Sequence, residues 1–339
     1  MAQDPVSYFA PELAGPTGIA CNACYLDFEN QPWTAPDGYR FYQRFTGWYR
    51  LFPWEPWSYE RFGLILQSTS EPGTFMIAFR GTYSMIDAIY DMDWELRQFP
   101  IAGSQARVAG GFLDIYTKHQ AAQPSMRVQL MDFLRSTRIN ILTVTGHSLG
   151  GALSSLFTFD AAMSYAGQQG IAAPTMIAAT YASPRVGDAR WKQEYNTVMM
   201  QPPTTPLTVR AHNVEDVVTY APPNDLGYEH VGLDFAVDFY ESEISIYALL
   251  VRHSLLNYNY VLGKALVNVP QRWAGVFPDQ SRSVPTATSI YPTTTAPEHM
   301  ERVRRARELV SVRGGAAPAQ GVDPDIQVKP VGQPTCTPD

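Results

Sequence analysis

The stretch Ile139-Asn140-Ile141-Leu142-Thr143-Val144-Thr145-Gly146-His147-Ser148-Leu149-Gly150-Gly151-Ala152-Leu153 runs from β-branched and apolar residues, through a serine flanked by glycines, into small and apolar residues. Ile139 to Thr145 has the composition of a short strand buried on both faces, and residues 148–166 carry helical spacing. A strand that turns directly into a helix leaves its apex residue in a strained backbone conformation. Glycines two before and two after the apex keep Cβ atoms out of the crossing. Gly146 and Gly150 stand at those positions, so Ser148 is expected at the C-terminal edge of the sheet, held out from the fold. The first N–H groups of the helix point to the same place, and its dipole favours an anion there. A bare Gly-x-Ser-x-Gly arises by chance in roughly one chain of this size in ten. The strand before and the helix after separate this one from a plain tight turn.

Working outward, Phe62 to Thr69 and Thr74 to Phe79 are apolar runs joined by a Glu-Pro-Gly turn, a hairpin or a pair of adjacent strands. Helical spacing runs from about 112 to 137 ahead of the strand at 139. After the 148–166 helix come a strand at Met176 to Ala182, a polar helix near 188–199, a strand at Leu207 to Ala211 and a long apolar helix at about 244–262. Residues 11–28 read as an N-terminal helix, and 33–60, with Trp33, Trp48, Trp54 and Trp57, show no clear period. Strands alternating with helices predict an α/β fold with a mostly parallel central sheet covered on both faces. Residues 1–277 are expected to form this domain. The Pro/Thr/Gly-rich segment 278–339, with one short helix at Glu298 to Val312, is expected to be a partly flexible extension. No internal repeat of 20–50 residues is visible.

The chain has 339 residues, 45% hydrophobic and 17% charged, the balance of a protein with a large buried core. Its net charge of −7 argues against nucleic acid and anionic membrane surfaces as partners. No stretch approaches about 20 uninterrupted apolar residues, so no transmembrane helix is expected. The start, Met1 to Pro5, shows no signal-peptide pattern, which leaves the cytoplasm, a removed leader or non-standard export. Three cysteines are too few for a disulfide scaffold. Cys21 and Cys24 read as neighbours on a helix rather than as a zinc or redox pair, having no second pair and no histidine near them, and Cys336 falls in the tail.

A serine hydroxyl attacks an ester only when an imidazole takes its proton, and that imidazole needs an orienting carboxylate. On a strand-turn-helix of this kind the chain order is Ser, then Asp or Glu, then His. Of six histidines, His119 precedes the serine, His147 lies inside the turn and is expected to point away, and His299 lies in the tail. His253 is the first candidate for the base and His230 the reserve, while His212 reads as a strand-end residue. Asp216, just past the strand ending at Ala211, is the first candidate for the acid, with Glu215 its rival. Asp188 comes one strand too early, and Asp225 follows Pro222-Pro223.

The residues Ala78-Phe79-Arg80-Gly81-Thr82, Thr145 to Ala152, Ser183-Pro184-Arg185-Val186-Gly187, Asn213 to Pro223, Tyr228-Glu229-His230-Val231-Gly232, and His253 with Tyr258 cover roughly 15–265 in order. Through them the sequence resembles the class 3 lipases, the fungal-type triacylglycerol lipases and their bacterial relatives. The resemblance implies an α/β-hydrolase whose nucleophile, acid and base are Ser148, Asp216 and His253, with Thr82 and Leu149 forming the oxyanion hole. It implies a short lid helix carrying Met85, Ile86, Ile89 and Tyr90, with Trp94 on the same side, that opens at a lipid surface. Asp188, Ala88 and the tail depart from the family's pattern, and the second of these bears on the lid. The activity implied is hydrolysis of acylglycerol esters through an acyl-enzyme, with a lipid or ester substrate at a lipid–water interface and no cofactor or metal. A phospholipase, a feruloyl-type carboxylesterase and a non-catalytic binding protein on the same fold remain alternatives.

Overall fold

The computed structural model describes residues 11–50, 54–82, 92–120, 122–166, 173–200, 208–237, 249 and 252–265. Seven strands form the central sheet: β1 (Tyr39–Tyr49), β2 (Ser58–Ser68), β3 (Thr74–Phe79), β6 (Ile141–His147), β7 (Thr175–Tyr181), β9 (Thr208–Asn213) and β11 (Leu233–Val237), in that spatial order. β1, β2 and β3 pair antiparallel, and every pairing from β3 to β11 is parallel. The expected mostly parallel sheet is present. A small antiparallel sheet joins β4 (Leu96–Gln98), β5 (Arg107–Ala109), β8 (Gly187–Asp188) and β10 (Tyr228–Glu229).

The apolar run of β3 is divided between two cores by strand alternation. Phe75, Ile77 and Phe79 enter the large cluster on one face, while Met76 and Ala78 enter the cluster on the other. The large cluster is closed by α2 (Gly110–Thr117), α3 (Met126–Ser136), α4 (Leu149–Ala166) and α5 (Ala189–Met199). The opposite face is covered by α1 (Pro11–Phe28) and α6 (Leu255–Ala265), through Ala14, Cys21, Tyr25, Leu255, Tyr258 and Leu262. Each fully buried Phe, Ile or Leu contributes about 1.5–3 kcal/mol, so a two-sided sheet of this size has a deep reserve of apolar burial.

Several expectations need correction. The 33–60 stretch contains β1 and the start of β2, with residues 51–53 outside the described residues; β1 carries register shifts between Phe41 and Gln43 and between Phe45 and Thr46, which break its alternation and hide the period. The 112–137 run is two helices: α2 ends at Thr117, and after Pro124 a new helix, α3, starts where Ser125 caps it by accepting a hydrogen bond from the Val128 N–H at 3.2 Å. The helix expected at 244–262 is interrupted at Ser254, after which α6 runs to Ala265; residues 244–248, 250 and 251 lie outside the described residues. The 278–339 extension and its short helix also lie outside them. No described helix is long and apolar enough to cross a membrane.

Candidate active site

β6 delivers its last residue, His147, to Ser148, and α4 starts at the next residue. Ser148 has φ 60°, the strained left-handed conformation expected of the apex, and its N–H donates to the Tyr181 carbonyl at 2.9 Å. The flanking glycines are required by contact. A Cβ on Gly146 would lie 2.1 Å from the Gly150 carbonyl oxygen, and one on Gly150 would lie 2.5 Å from the carbonyl oxygens of Phe79 and Arg80. The crossing of α4 over the ends of β3 and β6 leaves no room for a methyl group.

The structure brings Ser148, His253 and Asp216 together. The Ser148 Oγ lies 2.8 Å from His253 Nε2, and His253 Nδ1 lies 2.8 Å from Asp216 Oδ2. A carboxylate only accepts, so Nδ1 carries the proton and Nε2 is left to accept from the serine hydroxyl. Asp216 caps the 3₁₀ turn Val217–Tyr220: its Oδ1 accepts from the Val218 N–H at 3.0 Å. Its Oδ2 also accepts from the Tyr258 hydroxyl at 2.9 Å, and that hydroxyl receives the Asn213 N–H at 2.6 Å. Tyr258, in α6, thus ties the acid to the end of β9. Arg185 holds the same loop from the other side, with its N–H on the Ala221 carbonyl at 2.7 Å and its Nη1 on the carbonyls of Tyr220 and Pro222. Ser148 and Asp216 are fully buried, and His253 is 7% exposed. The site is closed in this structure.

His147 does not point away from this site. Its Nε2 lies 2.9 Å from the His253 carbonyl oxygen, its Nδ1 lies 2.8 Å from the Tyr25 hydroxyl, and its ring centroid is 4.9 Å from that of His253. A carbonyl only accepts, so Nε2 carries the proton and Nδ1 accepts from Tyr25. Burial, with the nearby His253, pushes the pKa of His147 well below the usual histidine value, so the neutral ring is the form that holds the backbone of the base. The sequence offered no signal for this, because the partner Tyr25 lies in α1, far away along the chain.

Thr82 follows β3 and is half-buried, and its Oγ1 accepts from the Tyr49 hydroxyl at 3.0 Å. The preceding Gly81 is pressed against the serine turn, where an added Cβ would lie 2.8 Å from the Ser148 Cβ. Leu149, buried, opens α4 at the positive end of its dipole. Met85, Ile86, Ile89 and Tyr90 lie outside the described residues. Trp94 packs edge-on against Phe112 and Tyr228.

The remaining candidates are placed elsewhere. His230 Nε2 lies 2.7 Å from the Thr219 carbonyl oxygen, and His212 Nδ1 lies 2.8 Å from Asp234. Glu215 is buried, but the partner of the His253 Nδ1 is Asp216. Asp188 caps α5 through the Trp191 N–H at 2.8 Å and pairs with Arg107. Cys21 and Cys24 are buried against the sheet, with Cys21 Sγ 3.3 Å from the Thr145 hydroxyl and Cys24 Sγ 3.2 Å from the Ala78 carbonyl. Burial pushes the Cys21 thiol up to about 12, the protonated, unreactive form. Among the described residues there is no cluster of three or more His, Cys, Asp or Glu able to hold a metal.

With known proteins, residues 76–226 match the family model for lipase (class 3). The chain is 29% identical over 182 residues to the lipase of Rhizomucor miehei, a match covering 54% of this chain and 46% of that lipase. It is 31% identical over 180 residues to phospholipase A1-II 4 of Oryza sativa subsp. japonica, covering 48% of this chain and 43% of that protein. Among solved structures, the nonglycosylated LIP2 lipase of Yarrowia lipolytica is similar in fold, with a TM-score of 0.51 at 20% identity over 70% of this chain and 81% of that one. The chain spans less than half the length of the two sequence relatives it matches.

Proposed function

Because residues 76–226 belong to the class 3 lipase family, carried on an α/β-hydrolase fold, we propose that this chain hydrolyses carboxylic esters of lipids, acylglycerols first, through an acyl-enzyme. The observation that carries the reading is the unbroken chain of hydrogen bonds from Ser148 through His253 to Asp216. In this reading His253 Nε2 takes the hydroxyl proton as Ser148 Oγ attacks the ester carbonyl. The C–O bond to the alcohol breaks as His253 returns the proton to the leaving oxygen. Water, deprotonated by the same imidazole, then attacks the acyl-serine and releases the fatty acid. Thr82 and Leu149 donate to the oxyanion in both halves, and removal of one such donor typically costs about 10²–10³ in kcat. The chemistry needs no metal or organic cofactor.

The burial of Ser148 supports an access step, in which the residues covering it move when the protein meets a lipid surface. In this reading Met85, Ile86, Ile89 and Tyr90 belong to the moving segment, and the catalytic domain spans 1–277 with 278–339 as an extension. The likeness to a plant phospholipase A1 supports a second reading, in which the ester is that of a phospholipid. Triglyceride, phosphatidylcholine, a feruloyl ester and p-nitrophenyl esters of graded length, each assayed with wild type and Ser148→Ala, test the proposal. Hydrolysis of triglyceride that Ser148→Ala abolishes is expected. Preference for phospholipid would favour the second reading. Failure of the wild type to react covalently with a fluorophosphonate would overturn both.

A further inference from the structure

Arg80 stands between β3 and the proposed oxyanion residue, and its side chain is 3% exposed. Its Cζ lies 3.8 Å from the ring centroid of Phe28 and 4.5 Å from that of Phe62. The edge of the guanidinium meets three acceptors: Nε donates to the Arg61 carbonyl at 2.7 Å, Nη2 to the Glu60 carboxylate, and Nη1 to the Gly81 carbonyl at 2.8 Å. Packing and charge balance account for the first two bonds. The third reaches the peptide unit that carries the Thr82 N–H.

Among the described residues the only cis peptide is Ala221–Pro222, so the 81–82 unit is trans, and a trans peptide is planar with its C=O and N–H directed oppositely. A cation that holds the Gly81 oxygen therefore also sets the direction of the Thr82 N–H. The same charge polarises the amide, which makes that N–H a stronger donor. The unit is tightly placed, because Gly81 is pressed against Ser148 and Tyr49 donates to the Thr82 hydroxyl oxygen.

We propose that Arg80 is a positioning residue of the oxyanion hole, whose guanidinium, anchored by Glu60 and the Arg61 carbonyl, aims and polarises the Thr82 amide. The inference rests on the reading of Ser148 as nucleophile and Thr82 as oxyanion donor. A buried arginine kept for packing alone would support folding and leave the transition state untouched.

Arg80→Lys keeps the charge but loses the planar fork that meets three acceptors at once. Active sites are counted by fluorophosphonate labelling, and kcat and KM for p-nitrophenyl butyrate are taken per labelled site. The inhibition constant of an alkyl boronic acid, whose serine adduct is a tetrahedral anion, is measured alongside. The expected result is a fall in kcat of about 10- to 100-fold, a fraction of the loss of a whole donor, with KM changed by less than about threefold. The boronate constant should rise in step with KM/kcat. Glu60→Gln, which removes one anchor and leaves the fork, should move both constants the same way by a few-fold, and it decides the matter if Arg80→Lys does not fold. Unchanged per-site kcat and boronate affinity would overturn the inference even where the melting temperature drops. A wild type that takes no label at Ser148 would overturn the nucleophile reading and this inference together; a labelled wild type with unaffected variants would overturn this one alone.

Discussion

Asp216 receives three donors on two oxygens, the Val218 N–H on Oδ1 and the His253 ring and Tyr258 hydroxyl on Oδ2. Only a group that accepts on both oxygens satisfies that set. Asp216→Asn presents an amide to at least one donor, and the least costly repair moves the imidazole proton from Nδ1 to Nε2, where the ring can no longer accept from Ser148. A folded protein with kcat reduced by about 10⁴ is expected, read by steady-state kinetics on a soluble ester. Tyr258→Phe leaves the tautomer correct but removes two hydrogen bonds, the one to the Asp216 carboxylate and the one from the Asn213 N–H, and the first alone is worth about 1.5–3 kcal/mol of stability, measured by urea denaturation. If about 1.4 kcal/mol of that is felt in the transition state, kcat falls about tenfold. An Asp216→Asn variant with near-normal turnover would assign the orienting role elsewhere.

The strand-turn-helix of β6 and α4 is the element on which the site depends, and its tolerance is set by two glycines. Gly146→Ala places a methyl 2.1 Å from the Gly150 oxygen, and Gly150→Ala places one 2.5 Å from two carbonyls of the β3 end. Backbone is the obstacle in both cases, so the helix must shift off the sheet. Each substitution is expected to cost about 3 kcal/mol, the upper end of what overpacking typically costs, seen as a lower urea midpoint or loss of soluble protein. Gly103→Ala serves as control, since no atom lies within 4 Å of its added Cβ, although its φ of +84° carries its own strain. This element was legible because its signals are local: the β-branched run, the paired glycines and the helical spacing lie within one short window. Asp216 and His253 were reachable because the chain order of such a site restricts the choice. The parts that were not legible have specific causes. β1 hid behind two register shifts, and β8 and β10, two residues each, are too short to carry a pattern. The roles of His147 and Arg80 depend on contacts made across the sheet and on the direction of a peptide plane, neither of which leaves a mark in residue spacing.

Across the whole molecule, acid stability is governed by histidines held neutral. Burial, with nearby positive charge, pushes His147 and His230 well below the usual histidine value and lowers His212. In the unfolded chain the same rings titrate near 6.5. Below that pH the unfolded chain binds protons that the native state refuses, so stability is fully present above about pH 6.5 and is lost as pH falls toward the depressed native values. Each ring contributes a slope of up to about 1.4 kcal/mol per pH unit in that interval. Asp27, where hydrogen bonds from Arg44 and Trp33 outweigh burial, and Asp234, where His212 and Arg210 do the same, have lowered pKa values. Their stabilisation has the same sign but is withdrawn only as pH drops below about 3.9, the unfolded aspartate value, toward their lowered native values. The interval from pH 6.5 to 5 therefore isolates the histidines. The urea midpoint should fall steadily across it, and His230→Gln, which keeps a donor for the Thr219 carbonyl but cannot titrate, should flatten the fall. A midpoint that stays level from 6.5 to 5 would mean that the folded protein accommodates the imidazolium ions, and that the His147 bridge to the His253 carbonyl survives protonation.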